Sequence, residues 1–373
     1  MDFNLTEEQQ AVRETFRSFA EKEVRPQAAE LDQHPRFPRE LFEQAGKLGL
    51  FGMRYPEPEG AGLGVLTYLL AIEELAAASM SLAASCTMQS LMGTWFLHRF
   101  TGGELRERLF RPALEGAVIG AICMTEPNAG SDLLSLTTHA EFKGGDWLVS
   151  GQKTWVTSAV VADMFTVLAR TGERELSFFL VEQGAPGLEI GRSIDKSGLR
   201  ASPTSEVSFN EVQATCLLGE RGQGLTCLKE ILAEIRVTTA ALAIGVAKAA
   251  LADALAYSRE RVQFGKPIGA FQAIQAHLAE MAVDLEAARR LTWYAAWRSD
   301  EGLDNELQAQ MAKLFASEAA LRICERAARV FASYGFAREY PVERYLRDVR
   351  FTLIGGGTSE ILKLNIARGM QES

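Results

Sequence analysis

Val12, Phe16 and Phe19 fall on one helical face, and the run Thr6-Glu7-Glu8-Gln9 ahead of them has the form of a capping box with Leu5 placed as its staple. This predicts a first amphipathic helix that runs to Pro26. Pro38 stands at the first position of a second helix, with Leu41, Phe42, Ala45 and Leu48 as its apolar face and Gly49 as its stop. Residues 55–64 hold two prolines and three glycines and read as a loop. From 66 to about 100 the chain is rich in Ala, Leu and Met and free of proline, which predicts two buried helices broken near Ser79 or Ser85. A short helix over 104–109 is then closed by Pro112.

After Glu115 the period changes. Strand-length runs at 118–124, 138–142, 147–150, 164–170, 177–181 and 206–209 are separated by turn signals, with Gly144-Gly145-Asp146 as a hairpin turn. From Gly222 the helical stripes return through 225–258, 270–299 and 307–333, the pattern of a four-helix-bundle-like body. The expected fold class is mainly α with an inserted β-domain: a helical domain over 1–115, a β-domain over 116–217 and a helical bundle over 218–373.

Composition narrows the function classes. Hydrophobic residues at 47% and charged residues at 23% describe a soluble globular chain, and the net charge of -9 speaks against a nucleic-acid surface or an anionic membrane as partner. Charges interrupt the long apolar stretches, so no membrane span is expected, and the N-terminus lacks the pattern of a signal peptide. Five scattered cysteines without a Cys-x-x-Cys pair point to a reducing, cytoplasmic setting, and four histidines in no ligand spacing offer no metal centre.

Chemistry has few places to sit. Ile122-Cys-Met-Thr-Glu-Pro-Asn-Ala-Gly-Ser-Asp132 reads as a buried strand handing over to a polar loop, either an ordinary turn or a ligand wall. Trp155 and Thr157 share one face of a strand by alternation, as core packing or as a wall for a flat ring. Gly355-Gly356-Gly357 before Thr358 is a flexible turn into the last helix or an anion-binding set of free amides. The run from Arg261 to Pro267 is a charged corner between helices on its own showing. No Ser, His and Asp set assembles, and no phosphate loop of the usual kinds is present.

Together, and in this order, these stretches resemble the acyl-CoA dehydrogenase family over essentially the whole chain. The resemblance implies an N-terminal helical domain, a β-barrel-like middle domain and a C-terminal four-helix domain, assembled as a homotetramer or homodimer. It implies FAD as cofactor, an acyl thioester on CoA or a carrier protein as substrate, and an electron-transfer flavoprotein as acceptor. Ile122, Met124, Thr125, Gly130 and Ser131 resemble the loop that holds the flavin ring, with Ser131 also near the substrate, and Trp155, Val156 and Thr157 resemble the flavin-packing strand. Arg261, Gln263 and Phe264 look like the segment that reaches the FAD diphosphate of a neighbouring subunit, extended by Phe271 and Gln272. Thr358 and Glu360 match the start of the terminal FAD-binding helix, and Arg236 the floor of the substrate pocket.

The chain departs from the family at the proton-abstracting base. Where many relatives carry Glu in a Tyr-Glu-Gly-Thr run, this chain has Gly356, and where a second branch carries Glu before the arginine of the first bundle helix, it has Ile235. Glu234 is the neighbouring carboxylate and the candidate catalytic residue, although adjacent helical residues point about 100° apart. A second departure is Arg329, with Ala332 and Ser333, where relatives often have Gln and a Gly pair at the FAD diphosphate. The expected activity is FAD-dependent α,β-dehydrogenation of an acyl thioester, or a variant such as γ,δ-desaturation, reduction or oxidation by oxygen. The alternative is a catalytically silent flavoprotein that serves as a binding or assembly subunit.

Overall fold

The computed structural model describes residues 4–372. Thr6 caps α1 (Glu7–Phe19) reciprocally: its Oγ1 accepts from the Gln9 N–H at 3.2 Å while Gln9 Oε1 accepts from the Thr6 N–H at 3.0 Å. The helical path does not stop at Pro26. A wide turn over Ala20–Val24 and a tight one over Arg25–Gln27 carry it into α2 (Ala28–Gln33), so the proline falls in the first turn of a new segment, where its missing N–H costs nothing. Pro112 likewise closes no helix. It lies in α8 (Arg111–Leu114), behind α7 (Gly103–Leu105) and a wide turn over Arg106–Phe110 that relaxes the hydrogen-bond ladder ahead of it.

After α3 (Arg39–Lys47), the buried stretch forms α4 (Gly64–Ala78) and α5 (Met80–Met88), with Ser79 extended between them and its Oγ accepting from the Leu82 N–H. A wide turn over Gln89–Gly93 leads on into α6 (Trp95–Phe100), so three helical segments rather than two fill this region. Gln89 explains the extra break. Its buried amide donates to the carbonyls of Ala113 and Val118 and accepts from the Gly120 N–H at 3.0 Å, which ties the wide turn to the first strand. Gly93 and Gly120 meet there so closely that a Cβ on Gly120 would lie 2.5 Å from the Gly93 Cα.

The strands β1 (Gly120–Cys123), β2 (His139–Lys143), β3 (Asp146–Thr157), β4 (Met164–Arg170), β5 (Leu176–Glu182), β6 (Leu188–Ser193), β7 (Thr204–Gln213) and β8 (Cys216–Leu218) form one sheet. Its order is β6-β7-β3-β2-β4-β5-β8, with β1 parallel to β4. Lys143 pairs with Asp146 across a two-residue hairpin whose Gly144 and Gly145 have φ of +66° and +101°.

The body of the molecule is α9 (Gly224–Glu260), α10 (Gln272–Asp300) and α11 (Glu306–Phe331), followed by α12 (Pro341–Val349) and α13 (Ser359–Glu372). A short β9 (Val262–Gln263) and β10 (Lys266–Pro267) ribbon separates α9 from α10. α9 is long and apolar enough to cross a bilayer, and 67% of that apolar window is buried within the protein.

Asp348 on α12 is buried and accepts from the Leu199 N–H at 2.7 Å. Burial pushes its carboxyl up to about 6 from an ordinary 3.8, against the pull of that hydrogen bond and of Arg344 and Arg347. The folded chain therefore holds this proton more tightly than the unfolded one, and the group's contribution to stability is lost as pH rises through about 6. Asp348→Asn is expected to raise stability by on the order of 1–2 kcal/mol at pH 8 and by nothing at pH 4, read by calorimetric unfolding at the two pH values.

Candidate active site

β1 leads into Met124 and Thr125, after which Glu126 and Ala129 exchange backbone hydrogen bonds and close a tight turn. The Glu126 carboxylate points inward. It accepts from the Thr137 N–H at 2.7 Å, the Thr137 hydroxyl at 2.8 Å, the Thr138 N–H at 2.9 Å and the Lys153 ammonium at 2.9 Å. Burial pushes this carboxyl up, but the hydrogen bonds outweigh burial and hold it at about 2. Lys153, wholly buried on β3, also donates to the Met124 carbonyl at 3.0 Å, and the Thr154 N–H donates to the Thr125 carbonyl at 2.9 Å. The Met124-Thr125 backbone is thus fixed from beneath by a buried ion pair, while Thr125 stays half-buried and Gly130 and Ser131 are exposed.

β3 breaks register between Lys153 and Val156, and Trp155 takes a φ of +58° at that bulge. Lys153 and Thr154 are consecutively buried as a result. Trp155 is left 57% exposed, with Val156 buried behind it and Thr157 half-buried at its side. An exposed indole beside a hydroxyl and a fixed backbone edge is a surface suited to one face of a flat conjugated ring.

α9 shares an apolar cluster with the Met124 loop. Ile122 and Met124 share an apolar cluster with Met88, Leu91, Ile231 and Ile235. Gly356, with φ +71°, sits over the same turn of α9, where a Cβ would lie 3.1 Å from Thr239 Oγ1 and 3.6 Å from Ile235 Cγ2. Ile235 and Gly356 therefore adjoin, and neither can accept a proton. Glu234 is ion-paired with Arg54, which also donates to the Ser90 carbonyl at 2.8 Å and lies over the rings of Tyr55 and Tyr68. Arg236 is 5% exposed, and among the described residues its Nε and Nη1 have no hydrogen-bond partner. Lys313 on α11 donates to the Gly357 carbonyl at 2.6 Å. Thr358 caps α13 by accepting from the Ile361 N–H at 3.3 Å, and Glu360 is exposed on the first turn.

The remaining sequence-derived positions gather at the other end of α9. Arg261 lies over the Tyr334 ring, Phe264 is 93% exposed with φ +50° and meets Phe271 edge-on, and Arg329 pairs with Glu325. Gln263 and Gln272 are exposed beside them. Twenty-six residues of α-helical rise put Arg261 about 39 Å along α9 from Ile235, so one copy does not bring the two groups together. Sequence reasoning missed the Lys153-Glu126 pair and Arg54. A lysine on the inward face of β3 was the only local signal for the first; Arg54 lies in a loop and gave none.

Family models match nearly the whole chain: Acyl-CoA dehydrogenase, N-terminal domain, over residues 6–117; middle domain, over 121–212; and C-terminal domain, over 222–371. The chain is 57% identical over 373 residues to benzylmalonyl-CoA dehydrogenase of Aromatoleum aromaticum, covering 99% of each. The structure of butyryl-CoA dehydrogenase from Megasphaera elsdenii superposes with a TM-score of 0.96 at 36% identity, covering 100% of each chain. That of PigA with FAD and proline superposes with a TM-score of 0.95 at 30% identity, covering 100% of this chain and 99% of the other.

Proposed function

Because the chain belongs to the acyl-CoA dehydrogenase family, we propose that it oxidises an acyl-CoA bearing a second carboxylate on C2, a malonyl-type thioester, with loss of CO2 in place of removal of an α-proton. Its cofactor is FAD and its activity is dehydrogenation of an acyl-CoA thioester. One observation carries the finer reading. The adjoining Ile235 and Gly356 offer no base, and the nearby Glu234 carboxylate is committed to Arg54.

A malonyl-type thioester needs no base at C2. When the bond from C2 to its carboxylate breaks, the electron pair passes into the thioester enolate and CO2 departs, which yields the carbanion that proton abstraction would otherwise have to make. FAD, when bound, supplies the acceptor for the hydride that then leaves C3. The product is the α,β-unsaturated thioester.

In this reading Trp155, Val156 and Thr157 form one wall for the flavin ring, and the Ile122, Met124, Thr125 and Gly130 backbone faces its edge. Ser131 lies beside the thioester, and Thr358 and Glu360 meet the cofactor at the start of α13. Arg261, Gln263, Phe264, Phe271, Gln272 and Arg329 serve the site of another copy. The distance along α9 supports this, as do the bare Phe264 and the exposed Val283, Leu291, Tyr294 and Trp297 on α10. The assembly is a homo-oligomer in the cytoplasm, a placement supported by five free cysteines, and it passes electrons to an electron-transfer flavoprotein.

Anaerobic titration of the yellow holoenzyme tests the reaction. Benzylmalonyl-CoA is expected to bleach the flavin with release of one CO2 per flavin, and 3-phenylpropionyl-CoA, the same skeleton without the carboxylate, to leave it oxidised. Equal bleaching by both thioesters would sink the idea. Glu234→Gln is expected to keep its turnover of benzylmalonyl-CoA and to lose about 1–3 kcal/mol of stability, because Arg54 loses its charged partner.

A further inference from the structure

A cavity of about 190 Å³ opens between the turn that joins α2 to α3 and the segment that joins β6 to β7. Its polar lining is mostly cationic: Arg36 from the turn, and Lys196 and Arg200 from the segment, against the single carboxylate of Asp195. Arg36 is exposed and gives one nitrogen, Nη1, to the Glu30 carboxylate at 2.5 and 2.7 Å. Lys196 and Arg200 are half-buried. The Lys196 ammonium donates to the Ser202 carbonyl at 2.9 Å, and the Arg200 Nε is buried without a hydrogen-bond partner among the described residues. Burial pushes the Lys196 ammonium down and Arg200 adds to the depression, while Asp195 and Asp348 pull the other way.

Backbone ties, rather than counter-ions, hold these charges in place. The Leu199 N–H donates to Asp348 at 2.7 Å, Arg347 donates to the Ser197 carbonyl at 2.8 Å, and the Ser202 and Ser85 hydroxyls share a hydrogen bond of 2.9 Å. Leu199 is kept at φ +51°, a shape a leucine takes only when its surroundings impose it, and a Cβ on Gly198 would lie 2.5 Å from the Arg347 carbonyl oxygen. The segment is thus seated on α12 and α5 in one form, with Lys196 and Arg200 presented from its two flanks. Like charges facing one small cavity, with an unused N–H between them and water, favour a bound anion.

We propose that this cavity is a binding site for a small phosphate-class dianion, either free phosphate or a phosphomonoester. Its volume falls below the roughly 300–1,000 Å³ of sites that enclose a drug-sized ligand, so it takes a phosphate group and not a whole nucleotide. The free Nε of Arg200 and a terminal nitrogen of the same guanidinium form a fork that matches two oxygens of a phosphate, and Lys196 adds a point charge. The site is separate from the one proposed for flavin and thioester: none of the residues placed there lines it. The two are neighbours through Pro203, which lines the cavity and accepts from the Ser158 N–H at 2.7 Å, just past the Trp155 to Thr157 wall.

Equilibrium dialysis of the FAD holoenzyme against labelled inorganic phosphate, with ionic strength held constant by chloride, is expected to show one saturable site per chain. Arg200→Gln is expected to weaken that site by about tenfold or more, the worth of a hydrogen bond to a charged group. Asp195→Asn is expected to tighten it, because the one carboxylate lining the cavity no longer opposes the ligand. As an exposed substitution it carries the test where Arg200→Gln fails to retain flavin. A parallel series with glycerol 3-phosphate separates the sources: tighter binding than phosphate identifies a phosphomonoester as the ligand, weaker binding the free ion, and either supports the site. No saturable binding of either anion to the wild-type holoenzyme overturns it, as does an affinity that yellow Arg200→Gln and Asp195→Asn both leave unchanged.

Discussion

Ile235→Glu is expected to turn over 3-phenylpropionyl-CoA about 10² to 10⁴ times faster than the wild-type protein, the usual worth of a positioned general base. Ile235 is half-buried against the apolar cluster that holds Ile122 and Met124, and it adjoins Gly356, so a carboxylate carried there faces the proposed thioester site. The same charge would crowd the substrate's own carboxylate, and turnover of benzylmalonyl-CoA should fall as that of 3-phenylpropionyl-CoA rises. Exchange of the C2 proton of 3-phenylpropionyl-CoA with deuterium from solvent isolates the base step. A folded, yellow Ile235→Glu that neither exchanges this proton nor gains turnover would falsify the view that a base is what the wild-type site lacks.

Lys153→Met is expected to cost about 3–5 kcal/mol of stability and to release flavin. The substitution keeps most of the side-chain volume but strands the Glu126 carboxylate, which is 5% exposed and held at about 2 largely through hydrogen bonds that include Lys153. It also removes the donor from the Met124 carbonyl. Adding Glu126→Gln should recover part of the loss, since the one amide oxygen can still accept from the Thr137 or the Thr138 N–H without a buried charge. Urea unfolding gives the stability, and the yellow band retained after gel filtration gives the flavin. Wild-type values for Lys153→Met on both measures would remove the pair from any role in shaping the loop.

Local signals carried a large part of the architecture. The Thr6 capping box, the two-glycine hairpin and the return of helical stripes after Gly222 depend on residues a few positions apart, and each appears in the structure. Pro26 and Pro112 misled for the same reason. Their neighbours could not reveal that wide turns would carry the helix past them, because such turns answer to tertiary ties like those of Gln89 to Ala113, Val118 and Gly120. In the proposed site, the shared strand face of Trp155 and Thr157 was legible from alternation, although the bulge that exposes the indole was not. The Lys153-Glu126 bond spans 27 positions and the Arg54-Glu234 pair 180, separations at which a sequence offers no pairing rule.

Gly356 also bears on how this site could change over generations. At φ +71°, with the Thr239 hydroxyl 3.1 Å from where a Cβ would sit, position 356 has settled into a backbone shape that resists any side chain. A descendant under selection for plain acyl-CoAs would have to remodel both the turn and its helical neighbour to put a carboxylate back there, whereas one substitution in α9 would suffice at position 235. The two positions are thus unequal: a carboxylate for proton abstraction enters this site more readily from the first bundle helix than from the turn.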